Sequence, residues 1–167
     1  MKSLTQSAKK GLVTTILLTM LGVLMYVSQV IMASLPNIEI VSLLIILVTR
    51  KFGVKALLSV YVFVGLEILT YGISIWVVNY LYVWAVLVLI VLIVRKIDNA
   101  YFYAVISSIY GLLFGTLCSI PYFITGGIAM GVGYIVGGVG YDLLHCIGNF
   151  VLLIILYKPL IKVMNKI

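Results

Sequence analysis

From residue 11 to residue 33 the chain runs without one charged side chain. A helix needs about 20 predominantly apolar residues to cross the hydrocarbon core of a bilayer, so this run is long enough to cross and too apolar to face water. Five further apolar stretches follow, at residues 38–49, 54–76, 80–94, 100–120 and 141–157, separated by short charged or glycine-containing joints. Only 9% of the 167 residues are charged, whereas a soluble domain needs about a quarter to cover its surface. Soluble enzymes, disordered tails and nucleic-acid readers are thereby excluded. The expected fold is a single all-α integral membrane domain over residues 1–167, with six transmembrane helices.

The cations test that map independently, because Lys and Arg are retained on the cytoplasmic side of a membrane. Lys2, Lys9 and Lys10 precede span one, Arg50, Lys51 and Lys55 join spans two and three, Arg95 and Lys96 join spans four and five, and Lys158, Lys162 and Lys166 follow span six. The alternate joints, residues 34–37, 72–79 and 121–140, carry none. All eleven therefore fall on one side, with both termini cytoplasmic. The net charge of +7 then reflects topology and contact with anionic lipid, with no need of a nucleic acid. The basic N-terminus could begin a signal peptide, but the apolar run continues to Ala33 with no small-residue cleavage site, so it is expected to stay as a span. The second stretch is short, and the stems of Arg50 and Lys51 are expected to reach back to the interface and supply the missing length.

The outer segment 121–140 holds seven of the fifteen glycines. So permissive a backbone makes either a mobile loop or a tightly folded cap. Because it also contains Tyr122, Phe123, Ile124, Met130, Tyr134 and Ile135, the reading is a partly buried outer lid between helices five and six; the alternative is a closely packed re-entrant helix without a gating role.

Polar groups inside a membrane mark function by default. Glu67 stands among Val64, Gly65, Leu66, Ile68 and Leu69, and needs a partner: a cationic or hydrogen-bonding substrate, His145 or a tyrosine hydroxyl, unless it is a protonated acid donating one bond. Glu39 opens span two, where a carboxylate faces the positive end of the helix macrodipole. Asp98 and Asn99 read as an N-cap for span five. Asp142, His145, Cys146 and Asn149 fall at i, i+3, i+4 and i+7, one helical face that must look inward. Three uses stay open for that face: substrate contact, an inter-helix hydrogen-bond network, or a catalytic dyad or Asp–His–Cys metal site. Against the last stand the lack of an HExxH pattern, a second histidine or a nucleophile-elbow serine, so no metal or cofactor is expected. Cys118 and Cys146 lie in apolar runs and read as small hydrophobes.

Aromatic residues crowd the outer half: Tyr71, Trp76, Tyr80, Tyr82, Trp84, Tyr122, Tyr134 and Tyr141. Some form the interfacial belt, and others, with Asn79 beside them, suit the walls of a pocket for a flat heterocycle. Span five carries Ser107, Gly111, Gly115 and Ser119 at every fourth residue, a stripe along which helices approach closely.

Two passages resemble a known family, the substrate-binding S components of energy-coupling factor (ECF) vitamin transporters. They are Leu35-Pro36-Asn37-Ile38-Glu39 leading into Leu43-Leu44-Ile45-Ile46-Leu47, and Gly140-Tyr141-Asp142-Leu143-Leu144-His145-Cys146-Ile147-Gly148-Asn149-Phe150, similar to the family's G-x-x-(F/Y)-D-L-x-H-x-x-G-N signature. The resemblance implies a six-helix receptor in the bacterial plasma membrane that binds a vitamin-like molecule near its outer face. It points to Glu67, Asn79, Trp84, Tyr122, Asp142, His145 and Asn149 as the substrate-binding set. It also implies partners: a scaffold membrane subunit, which the family meets through an alanine-rich stripe on its first helix, and two ATPase subunits. This chain has Gly11, Thr15 and Thr19 at that stripe, which leaves the docking helix open.

The expected function is therefore high-affinity substrate binding without catalysis, with energy from outside, since the chain has no G-x-x-x-x-G-K-[ST] loop. The outer half offers carboxylates and rings but no Lys or Arg, which favours a neutral or cationic heterocycle over an anionic one. Two other classes compete: a small membrane enzyme using Asp142 and His145, and a non-binding accessory subunit whose polar residues only hold helices together.

Overall fold

The computed structural model describes the backbone of residues 2–166 and the side chains of residues 6–166. Lys2, the first of the cations counted above, has its side chain outside the described residues. Among the described residues the chain is helix and turn with no strand. In order, the helices are α1 (Lys2–Met32), α2 (Val41–Phe52), α3 (Ala56–Tyr71), α4 (Ile75–Val94), α5 (Ala100–Leu112), α6 (Phe114–Cys118) and α7 (Ile120–Met164), with a 3-10 turn, Gly53–Lys55, between α2 and α3. Four helical stretches, Gln6–Met32, Val41–Tyr71, Ile75–Val94 and Ile120–Met164, are long and apolar enough to cross a membrane. The 3-10 turn divides the second of these into α2 and α3.

Helix α2 is the centre of the bundle. Every residue from Val41 to Thr49 is buried, as expected of a helix that is apolar all round. Its 12 residues rise only about 18 Å. The irregular segment 33–40 leads into it at one end. At the other end Arg50 turns inward, where the sequence suggested a reach to the interface: its guanidinium donates to the Tyr157 hydroxyl, pairs with Asp98 at 3.0 Å and lies over the Tyr103 ring. Lys51 donates to the Met164 carbonyl.

Contacts set the direction of each segment. Glu39 meets His145 and Arg50 meets Tyr157, so α2 and α7 run the same way. Asn149 reaches Ser107 and Asp142 reaches Gly115, so α7 runs against α5 and α6. Tyr103 donates to Val94 O and Tyr110 to Val83 O, so α5 opposes α4. Phe63 packs on Trp84 and Tyr71 on Trp76, so α3 also opposes α4. Ser59 donates to Leu18 O and Tyr26 bonds Thr70, so α1 and α3 are parallel. The direction thus alternates through α1, α2, α3, α4, α5–α6 and α7, and the joint at 50–55, the joint at 95–99 and the end of α7 meet at one end of the molecule.

Three boundaries differ from the sequence reading. The joint expected at 72–79 shrinks to 72–74, because α4 begins at Ile75. The span expected at 100–120 breaks at Leu113, where α5 stops and α6 begins. The segment 121–140 is helical and continuous with α7 except at Gly127, whose φ of 70° reverses the chain into a hairpin, a conformation that glycine adopts without steric penalty. Most of its side chains are exposed, Ile124 and Ile128 each at 79%, while Tyr122, Tyr134 and Ile135 are half-buried and Gly131 is buried, so the segment is a partly buried helical hairpin.

Candidate functional site

At the end of the bundle opposite the Arg50 cluster lies a cavity of about 310 Å³. Its roof is the segment 33–40, which turns through Pro36 and Asn37, the latter in the left-handed region at φ 55° that asparagine tolerates. Glu39 fixes this segment from below. The Ser42 N–H donates to its Oε2 at 2.8 Å, tying down the first turn of α2, while Oε1 lies 3.0 Å from His145 Nε2 on α7. Capping and an inter-helix bond are thus served by one carboxylate.

One wall is a continuous run of rings. Trp76, Tyr80 and Trp84 follow at i, i+4 and i+8 on α4 and share one face. Tyr71 packs on Trp76 at 5.5 Å, Trp76 on Tyr80 at 5.4 Å, Tyr80 on Trp84 at 5.3 Å, Trp84 on Phe114 at 5.4 Å and Phe114 on His145 at 4.9 Å. The tilted and edge-to-face angles leave ring faces and edges both available to a guest. Gln29 of α1 closes the wall by donating to the Tyr80 hydroxyl at 2.7 Å.

Glu67 of α3 faces this wall, lining the cavity with 0% exposure to solvent. Among the described residues nothing donates to either of its carboxyl oxygens. His145, one of the partners the sequence offered it, is engaged by Glu39 instead. Trp84 Nε1 and His145 Nδ1, on residues lining the same cavity, are likewise unpartnered and buried. A buried polar group without a partner is destabilising by about 1–3 kcal/mol, so the four atoms around this cavity, two carboxyl acceptors, an indole donor and an imidazole nitrogen, suit a guest that both donates and accepts hydrogen bonds.

No family model, curated protein or solved structure matches the chain.

Of the residues expected at the site, the structure brings Glu67, Trp84 and His145 to one cavity. Asp142 accepts from the Gly115 N–H at 2.9 Å, a donor freed by the break at Leu113, and lines a neighbouring cavity. Asn149 donates to Ser107 O at 3.2 Å, and Cys146 lies against Ser108. The face Asp142–His145–Asn149 therefore packs along the small stripe of α5, where a Cβ on Gly111 would stand 2.9 Å from the His145 carbonyl carbon. Asn79 lies off the cavity, its Oδ1 accepting from the Tyr82 hydroxyl at 2.9 Å. Tyr122 stacks on Tyr134 across the hairpin with centroids 4.2 Å apart. His145 thus has Glu39 as its carboxylate partner, and Asp142 and His145 bond to different groups. Among the described residues no three of His, Cys, Asp and Glu gather as a metal would require. The sequence reading did not single out Gln29 or Phe114, and it named Trp76 and Tyr80 only among the rings from which pocket walls could be drawn; the four-residue spacing of Trp76, Tyr80 and Trp84 was the signal that places them on one face.

Proposed function

We propose that this chain is the substrate-binding subunit of an ECF-type transporter in the bacterial plasma membrane, taking up a vitamin or related neutral or cationic heterocycle. The observation that carries the reading is Glu67: a fully buried carboxyl with no protein donor, facing a wall of rings, in a cavity of ligand size. A heterocycle bearing an amine satisfies it, with its flat face against Trp84 or Tyr80 and its N–H groups on the carboxyl oxygens. Among the described residues the lining holds no Lys or Arg, and its imidazole, His145, is already engaged by Glu39, so an anionic group finds no free counter-charge there.

In this reading six segments cross the bilayer with both termini and the Arg50 end in the cytoplasm, and the cavity faces outward. The hairpin at 121–140 is then the outer lid. Exposed apolar side chains such as Leu12, Ile16 and Met20 on α1 meet lipid or the scaffold subunit. Two separate ATPase subunits supply the energy. Reconstitution tests the whole: liposomes with this chain alone should bind its ligand without accumulating it, and accumulation should require the scaffold and ATPase subunits of the same host together with ATP. Net uptake by the chain alone would overturn the reading.

A further inference from the structure

A second cavity, of about 410 Å³, adjoins the first. Phe114 and Asn37 line both, so one ring and one amide form the partition between them. Beyond the partition the second cavity is walled by Tyr134, Tyr141 and Asp142, with Gly133, Gly137 and Gly138 along α7. Glycines in helices normally serve close helix packing, as Gly111 does. These three do not: a Cβ at any of them would meet nothing within 4 Å. Their missing side chains leave open space. The Asp142 side chain belongs to a residue only 5% exposed, its Oδ1 takes the Gly115 N–H, and among the described residues no donor reaches Oδ2.

Each compartment thus sets a carboxyl of a buried residue beside aromatic rings, Glu67 with both oxygens unpartnered and Asp142 with Oδ1 on the Gly115 N–H, and among the described residues no Lys or Arg lines either. We propose that the two cavities are a single two-compartment site for a ligand with two flat, donor-bearing groups, one held at Glu67 and the other at Asp142, joined by a short linker passing between Phe114 and Asn37. This rests on the reading of the first cavity as a ligand site and adds to it the size and bipartite form of the ligand. A single ring would use the first compartment and leave the glycine-floored one idle.

Calorimetry on the purified full-length protein in detergent separates the two ideas. The probes are benzylamine, with one ring and one ammonium, and bis[4-(aminomethyl)phenyl]alkanes with linkers of one to four methylenes. Benzylamine should bind the compartments as separate single-ring molecules, the first included, and the best two-ring diamine should bind at least about tenfold tighter, well beyond the twofold statistical advantage of a symmetric molecule. Gly137→Leu, whose Cβ meets no atom within 4 Å and whose longer side chain would occupy the second compartment, should abolish that advantage while benzylamine still binds the first compartment. Asp142→Asn, which leaves the helix backbone alone, should reduce the advantage as well. A diamine advantage that persists in Gly137→Leu, or no diamine better than benzylamine, overturns the two-compartment site and leaves the first cavity standing. Failure of benzylamine to bind the unmodified protein overturns both.

Discussion

Glu39 and His145 meet at 3.0 Å, both buried, and so tie the irregular segment ahead of α2 to the middle of α7. Because the same carboxyl accepts from the Ser42 N–H, its removal orphans two donors at once. Glu39→Ala should destabilise the protein by about 2–4 kcal/mol, and Glu39→Gln, which keeps an acceptor for Ser42, by about half as much. Denaturant titration in micelles measures the difference; equal losses would show that the cap contributes nothing.

Gly111 predicts a graded response. Its Cβ would sit 2.9 Å from the His145 carbonyl oxygen, backbone that cannot turn aside. Gly111→Ala should lower stability by about 1–3 kcal/mol despite alanine's better helix propensity, and Gly111→Leu should prevent folding. At Gly133, where a Cβ meets nothing, alanine should be neutral or stabilising by up to about 1 kcal/mol. Parallel melting curves of the two alanine variants provide the comparison.

Arg50 and Asp98 are unequal partners. The Arg50 side chain is 11% exposed and that of Asp98 79%, so solvent screens the ion pair from one side. Asp98→Asn should therefore change stability by less than about 1 kcal/mol. Arg50→Ala should cost about 2–4 kcal/mol, through the lost bond to Tyr157 and the lost stacking on Tyr103. A double-mutant cycle gives the pair's own share, and a coupling above 2 kcal/mol would contradict this assignment.

Topology is open to direct labelling. In a background lacking Cys118 and Cys146, a cysteine at Val54, 61% exposed in the cation-bearing joint, should react with an impermeant thiol reagent only after cells are permeabilised. A cysteine at Ile128 on the hairpin, 79% exposed, should react in intact cells. The opposite pattern would invert the molecule in the membrane.

Much of this architecture is legible along the chain because a membrane imposes simple periods. The spacing of Lys and Arg prefigures the alternating segments and their common end. The four-residue stripe of span five prefigures its packing on Asp142, His145 and Asn149. Isolation among apolar neighbours marks Glu67. Other features depend on residues far apart in sequence: nothing near Glu39 announces His145, and nothing near Asp142 announces the freed N–H of Gly115. The break at Leu113 falls between Gly111 and Gly115, glycines that read along the chain only as a packing stripe. The glycines of 121–140 leave a mobile loop, a folded cap or a re-entrant helix open because glycine permits all three backbones; the segment is helical because its apolar backbone bonds to itself everywhere but at Gly127. Asn79 and Tyr122 stand at the same end of the molecule as the cavity, but helical phase turns Asn79 toward Tyr82, and the hairpin stacks Tyr122 on Tyr134.

The central claim is that Glu67 holds a neutral or cationic heterocycle, and mass spectrometry of small molecules copurified from the native host tests it most directly. The unmodified protein should carry one such molecule, and Glu67→Gln should carry little of it, with calorimetry of the identified ligand showing a loss of about 1–3 kcal/mol. An anionic vitamin bound tightly, or undiminished affinity in Glu67→Gln, would contradict the account.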